Sequence, residues 1–254
     1  MRYLVRLKYN GSEFNGWQIQ PSSPSVQETL EQKLSMLLGM EIKVVGCGRT
    51  DTGVHATGQV AHIDFKKAWD PHRLQQALNF YLKPKLISII ASAKVDSDFH
   101  ARFSAVKRHY LFKILNRTPP LTLDKNRYWH VNHRLDLKKM KKGASYLIGK
   151  HDFTTFRSTL CQAKSPIKSI DKIEIINTPY SIGSSIQIKF TARSYLHNQI
   201  RSIVGTLGKV GSNSWEPERV NLALLSKNRA ECGPVAPAAG LYLVKIDYKN
   251  DVFL

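Results

Sequence analysis

A single carboxylate in a glycine-bounded loop is the feature of this sequence that most suggests chemistry. Asp51 lies between two threonines in residues 48–56, hereafter the Asp51 loop, with Arg49 two positions before it and His55 four positions after it. Glycines at both sides of the acid favour a tight turn that would hold it rigidly. An acid held in this way can serve as the reactive group of an enzyme.

The charge of the chain indicates what that acid would act on. The 254 residues contain 38 Lys plus Arg against 19 Asp plus Glu, a net charge of +19. Residues 1–104 hold 13 and 9 of these, a net of +4, and residues 105–254 hold 25 and 10, a net of +15. Cations that neutralise phosphates release counterions, so the pattern favours binding of a nucleic acid. An acidic membrane contacted by the lysines of residues 138–142, or charge that serves solubility alone, are the alternatives.

Other chemistry remains possible for the Asp51 loop. Asp51-Thr52-Gly53 matches the triplet of aspartic proteases, which need two such acids, so a dimer would have to supply the second. An ordinary turn capped by Asp51, with Gly53 at positive φ, is a second alternative. A phosphate-binding loop would need the GxxxxGK[ST] pattern, which is not found here. Asp51, His55 and His62 lack the helical spacing that would converge on a metal ion.

Composition favours a soluble, cytoplasmic protein. No run of apolar residues approaches the roughly 18 to 20 that a membrane span requires. Residues 1–6 alternate like a strand and lack the apolar stretch of a signal peptide. Cys47, Cys161 and Cys232 are far apart and odd in number, which predicts reduced, partly buried thiols.

Hydrophobic periodicity predicts the elements that position the Asp51 loop. In the first half, helices follow the capping residues Ser25 and Asp70, and the expected strands cover residues 2–9, 42–45, 59–65 and 86–95. In the second half, a helix follows Asp136 and further helices cover residues 196–207 and 217–225. The strands expected there cover residues 106–115, 170–176, 186–192 and 240–248.

The repeated order of elements predicts an α/β (α+β) fold. We expect two pseudo-symmetric subdomains, each with a mixed sheet and helices on one side, and a catalytic cleft between them. The boundary is expected near residue 105, so residues 1–104 form an N-terminal subdomain with the Asp51 loop. Residues 105–254 form a strongly basic C-terminal subdomain.

The full Asp51 loop is more specific than its acidic triplet. Gly-Arg-Thr-Asp-x-Gly-Val-His-Ala, followed by Gly58-Gln59-Val60, closely resembles the signature loop of the tRNA pseudouridine synthase A family. The chain resembles the family at five further motifs, which follow in the same order along nearly its whole length. They are residues 9–18, 98–110, 152–157, 195–205 and 236–243. The loop departs from the family pattern at Thr52, where alanine is usual.

The resemblance implies a pseudouridine synthase fold and isomerisation of uridine to pseudouridine in the anticodon stem-loop of tRNA. The target base lies in a stacked stem and must be flipped out. Asp51 would be the nucleophile, Arg201 its cationic partner, and Tyr110 the ring that stacks on the base and moves the proton lost from C5. Whether Asp51 attacks the sugar or the base stays open.

The resemblance also implies substrate contacts and partners. Arg49 would fill the gap left by the flipped base, and Leu241 would form an apolar wall of the base pocket. No cofactor or metal is implied, and the partners would be tRNA and a second copy of the chain in a homodimer. A tRNA-binding protein of the same fold without catalysis is the alternative. The further expected tRNA contacts are Phe99, His100, Arg102, Gln162 and Lys164, while His55 and His197 are expected to hold loops in place.

Overall fold

The computed structural model describes residues 1–21 and 24–253, which form two compact units. The first unit contains residues up to Arg108 and those from Tyr242 onward, and the second unit is His109–Leu241. The chain passes into the second unit after Arg108. The last strand, however, packs with the first unit, although the sequence had suggested that residues 105–254 stay together.

The first unit contains two helices and a sheet. The helices are α1 (Val26–Leu38) and α2 (Pro71–Leu82). The strands are β1 (Arg2–Tyr9), β2 (Val44–Gly46), β3 (His55–Asp64), β4 (Ile87–Val95) and, from the end of the chain, β10 (Leu241–Tyr248).

The sheet of the first unit is mixed. Its strand order is β4-β1-β3-β10, with β2 also paired to β3. Strands β4, β1 and β3 are antiparallel neighbours, whereas β10 runs parallel to β3 and pairs Tyr242 with His55. Apolar side chains of β1 are fully buried and form the centre of the core, namely Tyr3, Leu4, Val5 and Leu7.

Both helices of the first unit begin at the predicted capping residues. The Ser25 side chain accepts a hydrogen bond from the Glu28 amide, and the Asp70 side chain accepts one from the Arg73 amide. Each bond satisfies a backbone donor that the first helical turn leaves unpaired. Helix α1 ends at Gly39 in the left-handed conformation, with φ 64°.

The second unit contains three helices and five strands. The helices are α3 (Leu137–Ser145), α4 (Gln199–Gly211) and α5 (Glu218–Ser226). The strands are β5 (Ala105–Asn116), β6 (Trp129–Val131), β7 (Gly149–Asp152), β8 (Ile167–Pro179) and β9 (Ser184–Ala192). The order is β5-β9-β8-β7, with β6 parallel to β5, so this sheet is also mixed.

The predicted fold class is confirmed, and all the expected helices and strands are present. In β9, Ile186, Ile188 and Phe190 are buried while Lys189 is exposed, as the alternation predicted. Strands β6 and β7 were not expected. The first is only three residues long, too short to establish a period, and the second reads Gly-Lys-His-Asp, which has no apolar alternation. None of the helices in the described chain is long and apolar enough to cross a bilayer.

Candidate active site

The Asp51 loop connects β2 to β3 and contains a tight turn at the acid. The amide of Val54 donates to the carbonyl oxygen of Asp51 at 3.1 Å. Gly53 has φ 77°, a left-handed conformation that side chains disfavour. The positive φ named for Gly53 in the ordinary-turn alternative is thus present, and this backbone fixes the direction in which the acid leaves the chain.

The segment after β1 holds the loop through Thr50. The Thr50 hydroxyl shares a buried hydrogen bond of 2.8 Å with the hydroxyl of Tyr9. The Thr50 carbonyl accepts from the Trp17 amide at 3.0 Å. A Cβ on Gly16, which has φ 78°, would lie 2.6 Å from that carbonyl oxygen, so only glycine allows this approach. The residue before Asp51 is therefore fixed at both its side chain and its backbone.

His55 fixes the other side of the loop. Its Nδ1 accepts from the amide of Gly11 at 3.0 Å, in a buried position. Its ring stacks on that of Tyr242 at 4.6 Å between centroids. Gln59 Nε2 donates to the carbonyl of Gly48 at 2.8 Å and closes the start of the loop. The prediction that His55 holds the loop in place is confirmed by these contacts.

The loop presents its polar side chains toward solvent to different degrees. Arg49 and Thr52 are exposed and Asp51 is half-buried, while Thr50, Val54 and His55 are buried. The Thr52 hydroxyl donates to Oδ1 of Asn15. Buried residues on both sides thus hold a partly accessible carboxylate, which is the arrangement a nucleophilic acid needs.

Three of the expected tRNA contacts lie in residues 98–104, hereafter the His100 turn, which connects β4 to β5. Nδ1 of His100 accepts from the amides of Arg102 and Phe103 at 3.1 and 3.3 Å. Burial and the nearby Arg2 cation lower the pKa of His100, which suits this acceptor role. Phe99 faces the protein instead, with its ring 5.0 Å from that of Tyr248.

Tyr110 lies in β5 of the second unit and is half-buried. Its ring meets that of Tyr195 edge to face, at 5.2 Å between centroids. Burial raises the pKa of Tyr195, with a further contribution from Tyr110, so Tyr195 stays neutral at physiological pH. The second tyrosine therefore supports the Tyr110 ring without adding charge beside it.

Arg201 lies in the first turn of α4 and is held at two points. Its Nε donates to the carbonyl of Ala236 at 2.8 Å, and one terminal nitrogen donates to Oδ1 of Asn198 at 3.0 Å. The Ala236 amide in turn donates to the Arg201 carbonyl at 3.0 Å. Arg201 flanks a buried apolar stripe of α4, as expected, because the neighbouring Ile200 and Ile203 are buried.

The remaining expected residues of the second unit are separated along the chain. Gln162 and Lys164 are exposed in the loop before β8. Leu241 is buried at the start of β10. The carbonyl of His197 accepts from the Ser158 amide at 2.9 Å, as expected for a residue that holds a loop in place.

The lysine-rich helix α3 is less cationic than its sequence suggests. Lys139 pairs with Glu216 at 3.0 Å, and Lys142 forms an ion pair with Glu218. Its apolar residues Met140 and Ala144 are buried in the core of the unit. With its apolar face covered in this way, α3 has little apolar surface to insert into a membrane.

Sequence comparison identifies the protein family of this chain. The sequence profile described as tRNA pseudouridine synthase matches residues 7–104 and 144–249. The tRNA pseudouridine synthase A of Paracoccus denitrificans is 51% identical over 99% of this chain and 98% of its own. Those of Ruegeria sp. and Dinoroseobacter shibae are 49% and 50% identical, over 99% of this chain and 97% and 98% of their own.

This chain belongs to the tRNA pseudouridine synthase family. It is accordingly an isomerase that acts on uridine in tRNA, and the aspartic-protease alternative is set aside. Among solved structures, a chain of a Cbf5-Nop10-Gar1 complex aligns with 79% of this chain and 46% of its own, at 15% identity and a TM-score of 0.35. Membership in the tRNA pseudouridine synthase family rests on the sequence matches.

Two features of the Asp51 and His100 regions were not predicted. Tyr9 and Gly16 fix Thr50 from a segment more than thirty residues earlier, and periodicity carries no signal for such contacts. Phe103 is exposed in the His100 turn, and the sequence predicted no role for it. An apolar ring between Arg102 and Ser104, in a polar turn, was the available signal.

Proposed function

We propose that this synthase isomerises uridines in the anticodon arm of tRNA, with Asp51 as the nucleophile. The single observation that carries the role of Asp51 is its position in a rigid turn, half-buried between the anchored residues Thr50 and His55. A carboxylate held this way loses little freedom when it attacks.

The reaction is an isomerisation, so every atom of the substrate is retained. Attack by Asp51 allows the N-glycosidic bond between C1′ and N1 of uracil to break. The detached base turns, C5 bonds to C1′, and the bond between Asp51 and the substrate breaks, which restores the carboxylate. The proton on C5 is lost while N1 gains one. No external oxidant, reductant or group donor is needed, and the residues proposed to act are Asp51, Tyr110 and Arg201.

The proposed roles of Tyr110 and Arg201 follow the family resemblance. Tyr110 stacks on the base and removes the C5 proton, and the partly buried ring supported by Tyr195 suits both tasks. Arg201 is the cationic partner of the nucleophile, as the resemblance implies. Hydrogen bonds to Ala236 and Asn198 already restrict the Arg201 side chain. It would therefore lose less conformational entropy on contacting the substrate.

The remaining residues bind the tRNA. Arg49, exposed beside Asp51, fills the gap that the flipped base leaves in the stem. Arg102 and Lys164 are exposed cations suited to phosphates. Leu241 lines the base pocket, and Gln162 and His100 contact the RNA. Phe99 contributes to binding by packing on Tyr248 and holding the His100 turn in place. The enzyme works in the cytoplasm as a homodimer, in keeping with a substrate larger than one subunit.

Carbodiimide labelling tests the reaction and its nucleophile. Unmodified tRNA is incubated with wild type, Asp51→Asn or Asp70→Asn, and pseudouridine is located as carbodiimide-dependent stops in reverse transcription. Asparagine caps a helix as well as aspartate does, so Asp70→Asn is a control for the loss of one carboxylate. We expect marks in the anticodon arm with wild type and Asp70→Asn, and none with Asp51→Asn.

Each other outcome has a separate meaning. Marks from Asp51→Asn would exclude that residue as nucleophile, and marks only outside the anticodon arm would overturn the substrate site. Binding of tRNA without marks from wild type would favour the non-catalytic tRNA-binding alternative.

A further inference from the structure

Phe103 is a large apolar side chain that the fold holds in solvent. Its side chain is 74% exposed, yet both neighbours in the turn are polar and the ring belongs to no part of the core. Leaving a phenylalanine exposed forfeits most of the free energy its burial would gain. An exposed ring in a fixed position is therefore a candidate contact for something outside the protein.

The backbone around Phe103 is fixed at every neighbouring residue. His100 and Ser104 are joined by two hydrogen bonds, from the His100 amide to the Ser104 hydroxyl at 3.0 Å and from the Ser104 amide to the His100 carbonyl at 2.9 Å. The buried Ala101 receives one from the Tyr248 hydroxyl at 2.9 Å, and its amide donates to Nδ1 of His62 at 3.2 Å. The ring is thus presented by a braced turn.

The partners of the ring are a histidine and a cation. The His100 ring lies 4.3 Å from the Phe103 ring, centroid to centroid, with a tilt of 37°. The guanidinium of Arg102 lies 5.6 Å from the ring centroid, close enough for a cation–π attraction. With most of the ring still exposed, these two neighbours support it without covering it.

We propose that Phe103 is a stacking platform for an unpaired base of the tRNA, with Arg102 engaging the same nucleotide. Single-stranded nucleotides are recognised by aromatic side chains on which bases stack, beside cations that contact the backbone. The exposed cation of Arg102 beside the ring favours RNA over a protein surface as the occupant. This proposal rests on tRNA being the substrate, and it assigns Phe103 to binding rather than to the chemical step.

The test uses variants at position 103 with a matched exposed aromatic elsewhere. Phe80 of α2 is 71% exposed and, like Phe103, contacts another ring of the same unit, that of Tyr81. We compare Phe103→Ala, Phe103→Leu and Phe103→Trp with Phe80→Ala, and measure the Kd for tRNA together with KM and kcat.

Loss of one stacked base should weaken binding about 10-fold in Phe103→Ala. Leucine should fail like alanine because it lacks a π-face, tryptophan should restore binding, and Phe80→Ala should match wild type. The change should appear in Kd and KM, with kcat at saturating tRNA within about 2-fold of wild type, because base stacking here contributes to uniform binding.

Fluorescence gives a direct readout of stacking. Tryptophan introduced at position 103 should be quenched when tRNA binds, beyond the change that wild type shows, and tryptophan at position 80 should not. Unchanged Kd in Phe103→Ala, or equal quenching at both positions, would overturn the proposal. So would a shift in oligomeric state by light scattering with unaltered tRNA affinity, because the ring would then contact protein.

Failure of this proposal and failure of the proposed function are distinguishable. Wild type that makes pseudouridine while every Phe103 variant binds normally would refute the platform alone. Wild type that makes none, but binds tRNA through position 103, would refute the activity alone.

Discussion

The hydroxyls of Tyr9 and Thr50 share a buried hydrogen bond of 2.8 Å that connects the end of β1 to the residue before Asp51. Burial raises the pKa of the Tyr9 phenol, so it stays neutral and able to form this bond across the physiological range. The bond is thus a structural contact one residue away from the proposed nucleophile, and it can be tested separately from Asp51.

Replacement of Tyr9 by phenylalanine should reduce kcat and leave KM for tRNA nearly unchanged. The lost partner of a buried hydroxyl costs about 1–3 kcal/mol of stability, and the looser turn should misplace Asp51. Tyr3→Phe is the control, since its hydroxyl bonds to Trp69 rather than to the Asp51 loop. Equal losses of kcat in both variants would show that Tyr9 acts through general stability alone.

Gly16→Ala should unfold part of the Asp51 loop. The new Cβ would lie 2.6 Å from the Thr50 carbonyl oxygen in addition to straining a backbone with φ 78°. Gly39→Ala shares the positive φ but would meet no atom within 4 Å. Strain alone costs about 1–2 kcal/mol, so urea unfolding should show a clearly larger loss for Gly16→Ala. Comparable losses would mean that the close approach is unimportant.

The buried His62 should make the enzyme sensitive to acid. It is 4% exposed, and burial, with the Arg2 cation nearby, lowers its pKa from 6.5 to about 4. Between these pH values His62 is protonated in the unfolded chain but neutral in the folded chain. The free energy of unfolding therefore falls as pH drops from about 6.5 toward 4. The slope approaches about 1.4 kcal/mol per pH unit.

His62→Asn is the matched variant for that prediction. An asparagine oxygen can accept from the Ala101 amide, as His62 Nδ1 does, but it does not titrate. Urea unfolding at pH 7, 6 and 5 should show a steeper fall for wild type than for His62→Asn. Parallel curves would assign the acid sensitivity to other groups.

Binding of tRNA should depend steeply on salt, because several phosphates are neutralised. Replacement of the exposed Lys164 by alanine should reduce the slope of log Kd against log salt by about one. Lys43 is also exposed but pairs with Glu41, so Lys43→Ala should leave the slope unchanged. Filter binding over a range of salt concentrations measures both, and a flat wild-type response would refute the assignment of the basic surface.

Local signals in the sequence were enough to predict most of the fold. Ser25 and Asp70 begin helices because their side chains satisfy backbone donors nearby, and such bonds can be inferred from spacing. The parallel pairing of β10 with β3 could not be inferred, because it joins residues almost two hundred positions apart. Periodicity describes which face of a strand is buried, and it does not say which strand lies beside it.

The sequence indicated candidate site residues through the family motifs, but it carried no signal for the contacts that support them. The Asp51 loop carried a resemblance that pointed to its acid, and Gly53 has the positive φ of a tight turn. Phe99 and Phe103 show the limit, because residue type alone does not separate the ring that packs on Tyr248 from the ring that faces solvent. That difference depends on the hydrogen bonds of the turn.

The position of β10 has a consequence for how the protein is made. Tyr242 and Leu243 pair beside His55 and Ala56, yet the ribosome delivers them only after all of the second unit. Until then the nascent first unit lacks the partner of His55 and Ala56 at the start of β3, and an unpaired strand segment favours aggregation. A chain that terminates before Tyr242 would leave His55 without its stacked ring. We expect such truncated chains to be degraded by proteases before they can bind tRNA unproductively.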